Sequence, residues 1–106
     1  MSKPYELRVL EYLKNYRKVA ELVKDIIRRI DPEAEIYVFG SVVTGRFIGA
    51  SDIDILVVTN AIDKKYEMIV EVYKSTEAPI ELHIVTPQQF KKWYKRFISE
   101  NEIVRI

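Results

Sequence analysis

The segment Ser51-Asp52-Ile53-Asp54-Ile55 sets two carboxylates two residues apart in an otherwise apolar run. In an extended strand alternate side chains share a face, so Asp52 and Asp54 point one way and Ile53 and Ile55 the other. Neighbouring carboxylates repel, and beside apolar residues they are costly unless a cation sits between them. A hard divalent ion with oxygen ligands meets that need, and magnesium typically shares such carboxylates with phosphate oxygens. Taken alone, the pair fits the solvated face of a half-exposed sheet equally well. Glu81 lies between Ile80 and Leu82 and, on alternation, shares a face with His83. If its strand neighbours that of Asp52 and Asp54, three carboxylates come together. Such a set suits two metal ions about 3.5–4 Å apart, the arrangement for in-line displacement at phosphorus. By itself Glu81 reads as an ordinary exposed strand residue.

Phe39-Gly40-Ser41 ends a short apolar run. A strand leading through Gly-Ser into a short helix offers backbone N–H groups to an anion such as phosphate. Glycine permits a close approach, and the serine hydroxyl adds a donor. The plainer reading is a helix cap, since serine is a preferred capping residue. The Gly-Lys-Ser/Thr of a Walker loop is absent. The only histidine, His83, reads as a strand residue with a satisfied hydrogen bond rather than as a ligand. Lys91, Lys92, Lys95 and Arg96 read as the solvated face of a helix. Trp93, Tyr94 and Phe97 read as core or partner interface.

The elements that must position these residues follow from periodicity. Leu7, Leu10, Leu13, Val19, Val23, Ile26 and Ile30 recur at helical spacing, so one long helix is expected from about Pro4 to Arg29. Asp31-Pro32 ends it, because a residue before proline avoids the helical region. Strands are expected at Glu35–Phe39, Asp52–Thr59 and Pro79–Val85. The middle one is mostly apolar and therefore central. Asp63–Ser75 reads as a helix with Tyr66, Ile69, Val70 and Tyr73 inward. Thr86-Pro87-Gln88-Gln89 has the pattern of a capping box with proline at the first helical position. The order is α-β-(short α)-β-α-β-α. It describes an α/β (α+β) fold with a small mixed sheet of three to four strands and helices packed on it.

The chain has 106 residues, enough for a single domain over 1–106. Seventeen basic and sixteen acidic residues leave a net charge of +1, which argues against nucleic-acid binding by whole-molecule charge. There are no cysteines, so disulfides and thiolate metal sites are excluded. No apolar run approaches the ~20 residues of a membrane span, and the N-terminus lacks a signal-peptide core. A cytoplasmic protein without a membrane partner is expected.

The combination is more informative than its parts. An apolar strand, Gly40-Ser41, ten residues, then Ser51-Asp52-Ile53-Asp54 in a second apolar strand, then Glu81 in a third, resembles the polymerase-beta-like nucleotidyltransferase superfamily. The resemblance covers Ile36 to Ile84, and the short chain with its Glu-Leu-His-Ile-Val-Thr-Pro ending resembles the minimal nucleotidyltransferases. It implies that Gly40 and Ser41 hold a nucleoside triphosphate, with ATP the expected one. It also implies that Asp52, Asp54 and Glu81 hold two Mg2+ ions, with Mn2+ as an alternative. Glu81 would activate the attacking hydroxyl. Val42 and Val43 stand where many members carry a basic residue, so the phosphate contact falls to Arg46, with Ser51 also in the nucleotide-binding set. Glu81 replaces the aspartate of many relatives. Minimal nucleotidyltransferases resemble the antitoxin half of pairs whose toxin is a helical HEPN-type nuclease. The expected function is therefore transfer of AMP to a hydroxyl of that partner, with the acceptor coming from the partner or from a second copy in a homo-oligomer. The alternatives are an inactive antitoxin that occludes its partner, and nucleotide addition to an RNA end.

Overall fold

The computed structural model describes residues 3–94, 96 and 98–106, with Trp93 and Tyr94 described along the backbone only. Helix α1 (Tyr5–Lys14) and helix α2 (Tyr16–Ile30) are followed by strand β1 (Glu35–Phe39) and the short helix α3 (Ser41–Thr44). Strand β2 (Ile53–Val58), helix α4 (Lys65–Ser75) and strand β3 (Ile80–Val85) come next. A short helical turn α5 (Pro87–Gln89) runs into a π-helical turn at Phe90–Tyr94, and strand β4 (Ile103–Arg105) closes the fold.

The strands form one mixed sheet in the order β3-β2-β1-β4. β1 pairs antiparallel with both β2 and β4, and β2 pairs parallel with β3. A parallel pair needs a crossover, which α4 supplies. β2 is interior, as its apolar run requires. Alternation divides its side chains between two layers. Ile53, Ile55 and Val57 join Ile36, Val38, Ile80 and Ile84 under α1, α2 and α4. Leu56 and Val58 face the other way and pack with Phe90, Tyr37 and Phe39. Among the described residues that second layer is the smaller, so they cover one face of the sheet well and leave the other partly open.

Four details differ from the expectations. The first helix is two helices, broken at Asn15. The Asn15 side chain donates to the Glu11 carbonyl oxygen at 2.9 Å, competing with the helical ladder, and its own carbonyl starts α2 by accepting from Lys18 at 3.0 Å. With the break, Leu7 is exposed, and Val9 and Leu13 carry the core contact of α1. On α4 the buried residues are Met68 and Val72, whereas Tyr66, Val70 and Tyr73 are exposed and Ile69 is half-buried. The helix has apolar residues on more than one side, and packing against α2 selects the Met68 side. The Tyr73 hydroxyl instead donates to the Ile80 carbonyl oxygen at 2.9 Å, at the β3 edge. Finally β4, only three residues long, gives no usable alternation by itself.

The capping box is present as expected. Thr86 Oγ1 accepts from the Gln89 amide at 3.2 Å, and Gln89 Oε1 accepts from the Thr86 amide at 2.9 Å. Phe90 is buried against Tyr37, ring centroids 5.0 Å apart. Lys91, Lys92 and Arg96 are exposed, as a solvated face should be, while Lys95 lies outside the described residues. Phe97 and the side chains of Trp93 and Tyr94 also lie outside the described residues.

Candidate active site

The open sheet face carries one rung that contains two of the expected residues. Phe39 of β1 is opposite Asp54 of β2, and Asp54 is opposite Glu81 of β3. The next rung is Tyr37, Leu56 and His83. Register therefore does what spacing implied: it sets the Asp54 and Glu81 carboxylates side by side. It also adds a group that the sequence reading set aside. His83 Nε2 lies 3.5 Å from Asp54 Oδ1 and 3.8 Å from Glu81 Oε1. The imidazole ring stands beside Phe39, centroids 5.2 Å apart at 52°.

Asp54, Glu81 and His83 each offer a ligand atom, and all three atoms lie within 4.8 Å of one another. Two carboxylates with an imidazole make a donor set that fits a divalent cation. Asp52 is exposed, one residue before β2, and is not among those three; its charge is nonetheless felt at Glu81. The Glu81 carboxyl is held above its ordinary value, chiefly by hydrogen bonding and repulsion from Asp54. His83 acts in the opposite sense, and burial and Asp52 add smaller upward contributions. A site whose acids resist joint ionisation is one that a cation would relieve.

Gly40 closes the site from the β1 side. Its backbone, at φ 88° and ψ −155°, is in a region that only glycine adopts readily. A Cβ there would lie 2.7 Å from Asp54 Oδ2. The Gly40 amide donates to the Glu102 carbonyl oxygen at 3.1 Å, and its carbonyl accepts from Val43 at 3.1 Å and Thr44 at 3.4 Å. These bonds fix the start of α3, with Ser41 half-buried and Val42 in the core. Gly45, at φ 78°, ends α3.

The loop to β2 carries the other two expected residues. The exposed Arg46 donates its amide to the Ser41 carbonyl oxygen at 3.0 Å. Ser51 Oγ accepts from the Ile48 amide at 2.9 Å, so this hydroxyl holds the turn that delivers Asp52. Of the expected set, Gly40, Asp54 and Glu81 meet at one place, whereas Ser51 works within its own loop.

Among the described residues, cavities also open that Asp54, Glu81 and His83 do not line. One, of about 490 Å³, is lined by Tyr37, Val58, Phe90 and Ile103 among others. Another, of about 470 Å³, lies near Asp31, Glu33 and Thr59. No described helix is long and apolar enough to cross a membrane.

Known proteins share the family and the fold. Residues 8–106 match the family model of the nucleotidyltransferase domain, and the chain belongs to that family. It is similar to a crystal structure assigned as a nucleotidyltransferase, with 35% identity over 81% of this chain and 95% of the other, at a TM-score of 0.65. A second such structure, from Sulfolobus solfataricus, shares the fold at 21% identity over 99% of this chain and 89% of the other, TM-score 0.60. Cid1 in complex with its short product ApU shares the fold over 70% of this chain but only 28% of its own, at 22% identity and TM-score 0.54. No curated protein matches. The chain is thus a minimal member of the polymerase-beta-like nucleotidyltransferases, a class of nucleotidyl-transfer enzymes that use divalent metal ions.

Proposed function

We propose that this protein transfers AMP from ATP to a hydroxyl group, on a tyrosine of a helical HEPN-type toxin, and thereby silences it as an antitoxin. The observation that carries the reading is the close approach of Gly40 to Asp54, and the pairing of Asp54 with Glu81 across β2 and β3, on one sheet face. A triphosphate seated over Gly40-Ser41 would then have its reacting phosphorus beside the acids. In support, residues 8–106 match the nucleotidyltransferase domain, and the acceptor of this reading is a hydroxyl of a separate protein.

Gly40, lacking a side chain, lets phosphate oxygens approach the backbone, and Ser41 contributes its hydroxyl and amide. Arg46, exposed on the following loop, offers a cation to the outer phosphates. Asp54 and Glu81, with Asp52 at the rim, would hold Mg2+, two ions in the arrangement of the resemblance. When bound, the metal neutralises charge on the phosphate and orients it for in-line displacement. Glu81 accepts the proton of the attacking hydroxyl at a carboxylate oxygen. The acceptor oxygen then forms its bond to the α-phosphorus, the bond from that phosphorus to the β-phosphate bridging oxygen breaks, and pyrophosphate leaves.

The test combines ATP labelled at the α-phosphate, magnesium and the co-encoded helical protein. Label is expected to enter that protein with loss of its toxicity. If none enters while the intact chain still neutralises the toxin, transfer is not how it acts.

A further inference from the structure

We propose that His83 is a third protein ligand of the divalent ion held by Asp54 and Glu81, and that its imidazole biases the site toward Mn2+ over Mg2+. The inference deepens the metal-dependent reading above and rests on it.

The placement follows from strand geometry. Glu81 and His83 are two residues apart on β3, so both side chains stand on the open face. Parallel register puts Glu81 opposite Asp54 and His83 opposite Leu56. The imidazole therefore reaches Asp54 on the diagonal, while Phe39, opposite Asp54 on β1, stands beside the ring. The atom turned to the acids is Nε2, at 3.5 Å from Asp54 Oδ1 and 3.8 Å from Glu81 Oε1.

Those separations suit ligands of one ion. Direct N–H···O hydrogen bonds cluster at about 2.9–3.0 Å, and charged ones are shorter still. Both distances here are longer than that. Two ligand atoms each about 2.1 Å from one ion stand about 3.0 Å apart at right angles and about 4.2 Å apart when opposed. The observed pair falls inside that interval. Nε2 and the two carboxylate oxygens are thus close enough to share one ion, which would take the place of the long His83–Asp54 hydrogen bond.

The ligand types then bear on which ion. Carboxylate and water ligands suit Mg2+ and Mn2+ alike, whereas imidazole favours transition metals. One nitrogen among oxygens therefore adds affinity for Mn2+ with little gain for Mg2+.

The test uses the untagged protein, because His83 is the only histidine in the chain. Mn2+ is added with and without α,β-methylene-ATP, and pulsed electron paramagnetic resonance reads imidazole nitrogen coupled to the bound ion. The wild-type complex is expected to show that coupling, and His83→Gln to lose it. His83→Gln is also expected to weaken Mn2+ binding about tenfold, with Mg2+ affinity changed less than about threefold. Bound Mn2+ that Asp54→Asn releases but that shows no imidazole coupling overturns the role of His83 and leaves the metal site standing. Failure of Mn2+ to bind under either condition overturns both. Because the wild-type spectrum decides the matter, the result does not depend on how well the variant folds.

Discussion

The α-carbon of Gly40 faces the Asp54 carboxylate so closely that a methyl group in its place would sit 2.7 Å from Oδ2. The end of β1 and the acid of β2 are thus fitted to one another, so the proposed phosphate cradle and the proposed metal ligand adjoin.

Gly40→Ala tests that fit. The substitution forces alanine into a backbone region costing on the order of 1–3 kcal/mol, and it must also displace Asp54. The melting temperature should fall by on the order of 10 °C, and divalent-ion binding should weaken. Gly45→Ala is the control: it too has a positive φ, 78°, but nothing lies within 4 Å of its added methyl. It should cost about 1–2 kcal/mol and leave ion binding intact, as calorimetric titration would show.

The raised Glu81 carboxyl gives a pH dependence of definite sign. The folded chain holds this proton more tightly than the unfolded chain, chiefly because of Asp54. The resulting stabilisation is present at low pH and is lost as pH rises through the elevated value. Metal-free protein should therefore lose stability across that window, and Asp54→Asn should flatten the slope. Denaturant titrations at a series of pH values read it directly.

Glu77 should behave in the opposite way. Arg8 Nε and Nη2 donate to its carboxylate at 2.8 and 3.1 Å, and the Tyr12 hydroxyl donates at 2.7 Å. Arg8 first and then Tyr12 hold its carboxyl below the ordinary value. That stabilisation exists above the unfolded value and is lost as pH falls through the depressed one. Glu77→Gln should lower the melting temperature at neutral pH and change it little in strong acid. Thermal melts at the two pH values provide the check.

The two sides of α4 should also separate. Met68 is fully buried, whereas Tyr66 is 81% exposed. Met68→Ala is expected to cost about 2–5 kcal/mol, and Tyr66→Ala no more than about 0.5 kcal/mol, measured by chemical unfolding.

Much of this was legible in the residues, for physical reasons that differ by element. β1, β2 and β3 announce themselves through short apolar runs with local boundaries, and the Thr86 cap is written in four consecutive residues. The α4 face was not legible, because apolar residues lie on more than one side of that helix and only the packing of α2 chooses between them. The break at Asn15 depends on one side-chain bond that periodicity does not register. In the site, Gly40, Asp54 and Glu81 could be singled out from type and spacing. The proximity of His83 depends on the pairing register of β2 with β3, which is long-range. The available signal was its shared parity with Glu81 on one strand.

The most direct measurement is single-turnover transfer from α-labelled ATP to the helical partner by the wild-type chain and by Asp54→Asn. Asp54→Asn removes one carboxylate of the proposed metal site and adds no bulk beside Gly40, so the variant should stay folded and lose at least about a hundredfold in rate. Transfer by Asp54→Asn at the wild-type rate would contradict the assignment of catalysis to the Asp54–Glu81 rung.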